Sequence, residues 1–195
     1  MKIVILDRDG VINQDSPDYI KSVSEFIPLP GSVEAIAQLC HAGYRVFIAT
    51  NQSGIGRGLF DYDALFAIQD RLQRAVQELG GRIDAVAYAP EHPDEASEMR
   101  KPAPGMLKDI ARRMQVDLKD ACFVGDSMRD IEAARAAGAK PVLEHRTKPS
   151  DGKLRDAKGK PLKAENPPEP KQAPPAASVT QATKPAAKKE AKADD

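Results

Sequence analysis

The stretch Lys2 to Asn13 reads K-I-V-I-L-D-R-D-G-V-I-N, and its two halves have opposite characters. Lys2 to Leu6 is a short run rich in Ile, Val and Leu, the pattern of a parallel strand buried on both faces. Charge arrives abruptly at its carboxyl end, where Asp7, Arg8, Asp9 and Gly10 follow. In open α/β sheets ligands bind in the crevice beyond the carboxyl ends of the strands, so the place of these charges matters as much as their identity. Side chains alternate along an extended backbone, which predicts Asp7 and Asp9 on one side with Arg8 turned away. Gly10 lets the chain turn without a Cβ penalty. Taken alone, D-x-D after an apolar run also describes a solvated loop beside an edge strand. The rest of the chain decides between the two.

With 195 residues the chain has room for one ordinary domain with a sizeable core. Its formal net charge is zero but unevenly spread: residues 145–195 carry twelve Lys or Arg against seven Asp or Glu, which leaves residues 1–144 acidic by five. An acidic body argues against nucleic acid as a ligand, because binding to a phosphate backbone rests on basic surface. Two cysteines, Cys40 and Cys122, read as small buried apolar residues. No apolar run approaches a membrane span, and Ile3 to Leu6 is too short for a signal-peptide core. The expectation is a cytoplasmic protein with no membrane partner, acting as a monomer.

Val11 to Leu29 has no sustained period and reads as a long flap at the ligand end of the sheet. Gly31 and Ser32 open a helix with Val33, Ile36, Ala37 and Cys40 at helical spacing, and Tyr44 to Ala49 is the second strand. Thr50, Asn51, Gln52 and Ser53 follow, then the glycine-rich Gly54 to Gly58, flexible enough to fold over a ligand. Asp61 caps the next helix, whose buried face is read as Leu65, Ile68, Leu72, Ala75 and Leu79. Ile83 to Ala87 is the third strand, and a polar loop from Pro90 to Arg100 closes on Arg100-Lys101-Pro102. Pro104 suits the first turn of a helix, Ala121 to Val124 is the fourth strand, Ser127 caps a helix to Ala137, and Lys140 to Leu143 is the fifth strand. Strands alternating with helices imply βαβ units: an α/β, Rossmann-like parallel sheet with helices on both faces and no large cap domain. The prolines, alanines and lysines of residues 145–195 describe a disordered tail beyond a domain at 1–144.

Every informative polar group thus falls at one end of one sheet: Asp7 and Asp9, Thr50 and Asn51, Lys101, and Asp126. In this layout, and in D-R-D-G-V-I-N, T-N-Q-S-G-I-G-R-G and R-K-P-A-P-G-M, residues 1–144 resemble the haloacid-dehalogenase-like (HAD) phosphatases. Within that superfamily the motifs are similar to those of D,D-heptose 1,7-bisphosphate phosphatases, with histidinol-phosphate phosphatases as neighbours. The resemblance implies a Mg²⁺-dependent phosphatase acting on a small phosphorylated sugar, a heptose bisphosphate cleaved at C7 on the way to lipopolysaccharide.

The residue types suit that chemistry. Asp7 would attack phosphorus to give an aspartyl-phosphate, and Asp9 would protonate the departing oxygen and later deprotonate water. Asp7, Asp126 and the carbonyl of Asp9 would supply hard oxygen ligands to Mg²⁺. Lys101, the Thr50 hydroxyl and the Asn51 amide would stabilise the phosphoryl oxygens. Asp130 would cap its helix or hold Lys101. By resemblance Asp15, Asp18, Gln52, Ser53, Arg57 and Arg100 face the rest of the substrate, with Arg100 as a bidentate clamp for a second phosphate. Many members carry a zinc loop, Cys-x-His then Cys-x-Cys, before the Arg-Lys pair. Here those positions are Ala89-Pro90-Glu91 and Ser97-Glu98-Met99, so no zinc is expected.

Three other readings remain. One is a phosphatase for histidinol phosphate or another small sugar phosphate. A phosphoacceptor module needs its Asp after the third strand, where this chain has Ala87-Tyr88-Ala89. A binding protein on an inactive phosphatase body is disfavoured by the retention of Asp7, Asp9, Lys101 and Asp126. Truncation between Leu143 and Arg146 should leave melting temperature and steady-state turnover essentially unchanged, and a large loss in either would show that the tail docks.

Overall fold

The computed structural model describes residues 2–95 and 97–144; the tail expected at 145–195 lies outside the described residues. Five parallel strands, β1 (Lys2–Leu6), β2 (Tyr44–Asn51), β3 (Ala85–Ala89), β4 (Cys122–Gly125) and β5 (Lys140–Leu143), form one sheet in the order β3-β2-β1-β4-β5. Four helices connect them: α1 (Ser32–His41), α2 (Tyr62–Glu78), α3 (Gly105–Met114) and α4 (Met128–Ala137). No described helix is long and apolar enough to cross a membrane.

Strand alternation sorts the core into two layers. Ile3 and Ile5 of β1, with Phe47 and Ala49 of β2, pack on Met106, Leu107 and Ile110 of α3 and on Ala133 and Ala134 of α4. Val4 and Leu6, with Val46 and Ile48, face the other way onto Val33 and Ile36 of α1 and Ile68, Leu72 and Val76 of α2. Because both faces are covered, β1 has no polar face, as the Ile-Val-Leu run predicts. The chain runs outward from β1 through β2 to β3, then returns to β4 on the other side. The β1/β4 boundary is therefore the topological switch point, where a doubly wound sheet opens its crevice.

The flap is anchored at both ends. Gln14 N donates to Ile27 O at 2.9 Å, Leu29 N donates to Ile12 O at 2.8 Å, and Ser32 Oγ donates to Ile12 O at 2.6 Å. Ile12, Ile20 and Phe26 sit in the core between these ties, so packing and not regular structure fixes the segment.

Several boundaries differ from expectation. The second strand runs on to Asn51 because Thr50 and Asn51 pair with Tyr88 and Ala89, and the same pairing moves the third strand to Ala85–Ala89. The fourth strand is shifted by one residue, to Cys122–Gly125. On α2, Val76 is buried in place of Leu79, which lies past the helix end and is 43% exposed. Cys40 and Cys122 are only partly buried, and Cys40 Sγ donates to Arg82 O at 3.2 Å. The Gly54 to Gly58 segment is not a loose cover. Gly56 N donates to Pro90 O at 2.9 Å, and a Cβ at Gly56 would overlap Pro90 and His92 backbone atoms. The glycine there serves close backbone approach. Leu72→Ala should cost about 2–5 kcal/mol of stability, whereas Leu79→Ala should stay within about 0.5 kcal/mol, as read by chemical denaturation.

Candidate active site

Asp7 follows β1 directly, and its backbone N donates to Val124 O at 2.8 Å, which carries the β1–β4 pairing one step past the strand. Asp126 follows β4 in the same way, and Asp130 lies one turn into α4. One carboxylate oxygen from each of Asp7, Asp126 and Asp130 lies within 4.8 Å of the others, the one such acidic group among the described residues. Gly10 (φ +82°) lets the chain turn past it, and a Cβ there would overlap the Asp126 carboxylate.

Lys101 enters this acidic group from the loop before α3. It is 2% exposed, and its Nζ contacts Asp130 Oδ1 at 2.6 Å, Asp7 Oδ2 at 2.9 Å and the carbonyl of Ala49 at 2.9 Å. Asn51 holds the lysine's backbone with both ends of its amide: Nδ2 donates to Lys101 O and Oδ1 accepts from Lys101 N, each at 3.0 Å. The Asn51 side chain thus positions Lys101, with one Nδ2 hydrogen engaged on the Lys101 carbonyl.

The carboxyl groups differ in electrostatic state. Burial pushes the Asp7 carboxyl up to about 6; Lys101 acts against that, while Asp130 and Asp9 add to it. Asp126 is also raised, by burial and then by repulsion from Asp130 and Asp15. Asp130 is lowered despite its burial, because Lys101 pairs with it and Ser127 donates to its Oδ2 through both N (3.0 Å) and Oγ (2.6 Å). Asp130 has its compensation within the protein, whereas for Asp7 and Asp126 compensation is incomplete. A divalent cation between them would supply it, and the hard-oxygen donor set fits Mg²⁺.

Asp9 belongs to a separate network. Arg8, expected to turn away, is wholly buried and folds back on it: Nε reaches Asp9 Oδ1 and Nη2 reaches Oδ2, both at 3.0 Å. The alternation fails because the chain leaves the extended conformation at once, with Ile12 N and Asn13 N both returning to Arg8 O at 2.8 and 3.2 Å. Asn13 Nδ2 donates to Asp9 Oδ1 at 2.8 Å. Gln52, buried behind the site, donates from Nε2 to Asp9 Oδ2 at 3.0 Å and to Thr50 Oγ1 at 2.9 Å, while its Oε1 accepts from Arg8 Nη2 at 3.1 Å. Its amide is therefore engaged inside the protein, and not at the mouth where substrate contact was expected. Ser53 is buried as well.

At the mouth, Asp15, Asp18 and Arg57 are exposed, and Arg100 is partly buried. The Arg100 guanidinium is pushed below its ordinary value by burial and then by repulsion from Arg129 and Arg57, with Tyr19 and Glu91 acting the other way. Arg100 Nη1 is buried with no hydrogen-bond partner among the described residues. Sequence reasoning missed Arg8, Asn13 and Arg129. The first could have been found as the cation between two acids; the other two carried no local signal.

The surface groove lined by Arg112, Gln115, Val116 and Lys119 opens where α3 leads into β4, at the amino-terminal ends of the strands. Ligand sites of doubly wound sheets lie at the other end, so the groove is not the candidate.

The haloacid dehalogenase-like hydrolase model matches residues 8–138. The D-glycero-beta-D-manno-heptose-1,7-bisphosphate 7-phosphatase of Pseudomonas putida is 54% identical over 143 residues, 73% of this chain and 82% of its own. The solved D,D-heptose 1,7-bisphosphate phosphatase of Bordetella bronchiseptica, complexed with magnesium and phosphate, is 54% identical, covers 73% of this chain and 80% of its own, and has a TM-score of 0.72. A D,D-heptose 1,7-bisphosphate phosphatase from Burkholderia thailandensis is 48% identical, with 73% and 77% covered and a TM-score of 0.55.

The raised Asp7 carboxyl has a signed consequence. Its contribution to stability is full below the ordinary value of 3.8 and is lost as pH rises through about 6. In chelator, the melting temperature of the protein relative to Asp7→Asn should therefore fall between pH 4 and 7, and saturating Mg²⁺ should reverse the fall. A pH-independent difference would refute the assignment.

Proposed function

The chain belongs to the haloacid dehalogenase-like hydrolase family, and on that premise we propose that it is a Mg²⁺-dependent phosphatase that removes the 7-phosphate of D-glycero-β-D-manno-heptose 1,7-bisphosphate. The observation that carries the reading is the Asp7 carboxylate at the β1/β4 switch point, 2.9 Å from a buried lysine and grouped with Asp126. Asp7 attacks phosphorus in line, and the bond from phosphorus to the sugar oxygen breaks. Asp9 gives its proton to that oxygen. Asp9 then takes a proton from water, which attacks the aspartyl-phosphate, releases phosphate and restores Asp7.

Lys101 places its charge beside the phosphoryl oxygens. Thr50 Oγ accepts from Gln52, which leaves its own proton free to donate to the phosphoryl group. Asp7, Asp126 and the Asp9 carbonyl are the residues that would hold Mg²⁺. The ion, when bound, offsets the repulsion between these carboxylates and the phosphate.

Arg100 is the clamp for the second phosphate, since a buried guanidinium nitrogen without a partner suits a bidentate anion. Asp15, Asp18 and Arg57 frame the same opening, and Arg129 adds charge beside Arg100. In the loop where relatives of this family can carry zinc, Glu98 O accepts from Gly105 N at 2.8 Å and Met99 packs on the core. These ties and the Gly56–Pro90 bond support a loop held without zinc. The two free cysteines fit a reducing compartment, and the enzyme acts in the cytoplasm as a monomer.

A panel of phosphate esters tests this reading. The heptose bisphosphate should lose its 7-phosphate with the highest kcat/KM, chelation should abolish turnover and Mg²⁺ restore it, and Asp7→Asn should be inactive yet folded. Arg100→Ala or removal of the 1-phosphate should each lower kcat/KM by about 10 to 100-fold. Preference for histidinol phosphate, or stoichiometric zinc by elemental analysis, would overturn the substrate or the loop assignment respectively.

A further inference from the structure

We infer that Arg8, acting with Gln52, is a positioning residue for the acid–base carboxylate Asp9, and that the pair locks Asp9 to the phosphoryl-binding hydroxyl of Thr50. The inference rests on the reading of Asp9 as the proton donor given above. Burying an arginine completely is costly unless its charge is well paired, and Arg8 is 0% exposed. Its planar fork lies across both oxygens of Asp9 at 3.0 Å, the geometry that fixes the plane of a carboxylate as well as its location. Asp9 itself retains 22% exposure, so it is gripped from behind with an edge left towards the crevice.

Gln52 gives the grip its direction. The guanidinium can only donate and the carboxylate is the acceptor, which orients the amide: Oε1 must face Arg8 Nη2, and Nε2 must face Asp9 Oδ2. The same Nε2 also donates to Thr50 Oγ1, so one amide ties the acid to a residue of β2 that lines the crevice floor. Rotation of Asp9 about its Cβ–Cγ bond would break both bonds of the Arg8 fork. The two neutral amides, Asn13 and Gln52, can each yield an acceptor position to a proton while the fork stays in place. As that proton passes to the leaving oxygen, negative charge develops on a carboxylate already ringed by N–H donors, a preorganised arrangement that needs no rearrangement at the moment of transfer.

Leaving-group dependence distinguishes positioning of an acid from general support of the fold. An aryl phosphate such as 4-nitrophenyl phosphate departs as a stabilised phenolate and needs no proton, whereas a sugar or alkyl phosphate departs as an alkoxide and does. Release of the first product is followed in a single turnover of the full chain with saturating Mg²⁺, for the wild type, Arg8→Lys, Gln52→Ala, Asp9→Asn and the Arg8→Lys/Asp9→Asn pair. Gln52→Ala removes the bridge without leaving a buried charge unpaired, so it serves if Arg8→Lys does not fold. Arg8→Lys and Gln52→Ala should each slow release from the alkyl phosphate by about 10 to 100-fold, part of the roughly 100 to 10,000-fold loss expected for Asp9→Asn, while release from the aryl phosphate stays within about 3-fold. On the Asp9→Asn background Arg8→Lys should add no further loss. Equal slowing of both esters, unchanged rates for both, or a full additive loss in the double variant would each overturn the inference. Failure of Asp9→Asn itself to discriminate between the esters would instead overturn the assignment of Asp9 as the acid.

Discussion

Crowding of like charge at the β1/β4 switch point is the constraint on which the site depends. Three carboxylates converge there, and the buried cation that meets them is Lys101. Much of the neighbouring structure places that one ammonium group: the Ala49 carbonyl accepts from it, Asn51 ties down its backbone at two points, and Phe123 lies under it with the ring centre 5.3 Å from Nζ. The extension of β2 through Asn51 brings those groups to the same height as Asp7. Removing Lys101 would leave the Asp7 and Asp130 carboxylates buried without their cation, which is far costlier than losing an exposed ion pair.

The compensation is deliberately unequal between the carboxyl groups. Asp130 has Lys101 and two Ser127 donors, and stays ionised; Asp7 shares the same lysine while facing two other acids, and is raised to about 6. A carboxylate that is incompletely neutralised by the protein leaves charge for a cation to meet. At the opening of the crevice Arg100 is repelled by Arg129 and Arg57. An anion bearing two charged groups would relieve that repulsion at one end and meet Lys101 at the other.

Two apolar devices keep these polar groups in register. The flap begins at Val11, two residues after Asp9, and is anchored by Ile12, Ile20 and Phe26, so the loop carrying Asp9 cannot drift without disturbing the core. The loop before Lys101 is fastened at Gly56, at Gly105 and through Met99, whose side chain packs against the α3 layer. In both cases the chain's irregular segments borrow rigidity from the sheet they cross, as functional loops on α/β scaffolds generally do.

Sequence by itself determined the chemistry and its address. The alternation of short apolar runs with helical periods fixed a parallel sheet buried on both faces, and strand ends followed to within about two residues because burial and turn residues are local signals. It placed Asp7, Asp9, Thr50, Lys101 and Asp126 at the same end of that sheet, and it left Asp130 as a helix cap or a holder of Lys101, both of which the structure shows it to be. Only the tertiary structure decided which atoms meet. The reversal of Arg8 onto Asp9, the recruitment of Gln52 and Asn13 to the same carboxylate, and the bonding of Asn51 to a lysine fifty residues away all depend on distances across strands and around a turn. Pattern and spacing constrain which side of a strand a side chain leaves from. Where a long side chain ends is set by the partners within a few ångströms, and those come from remote parts of the chain.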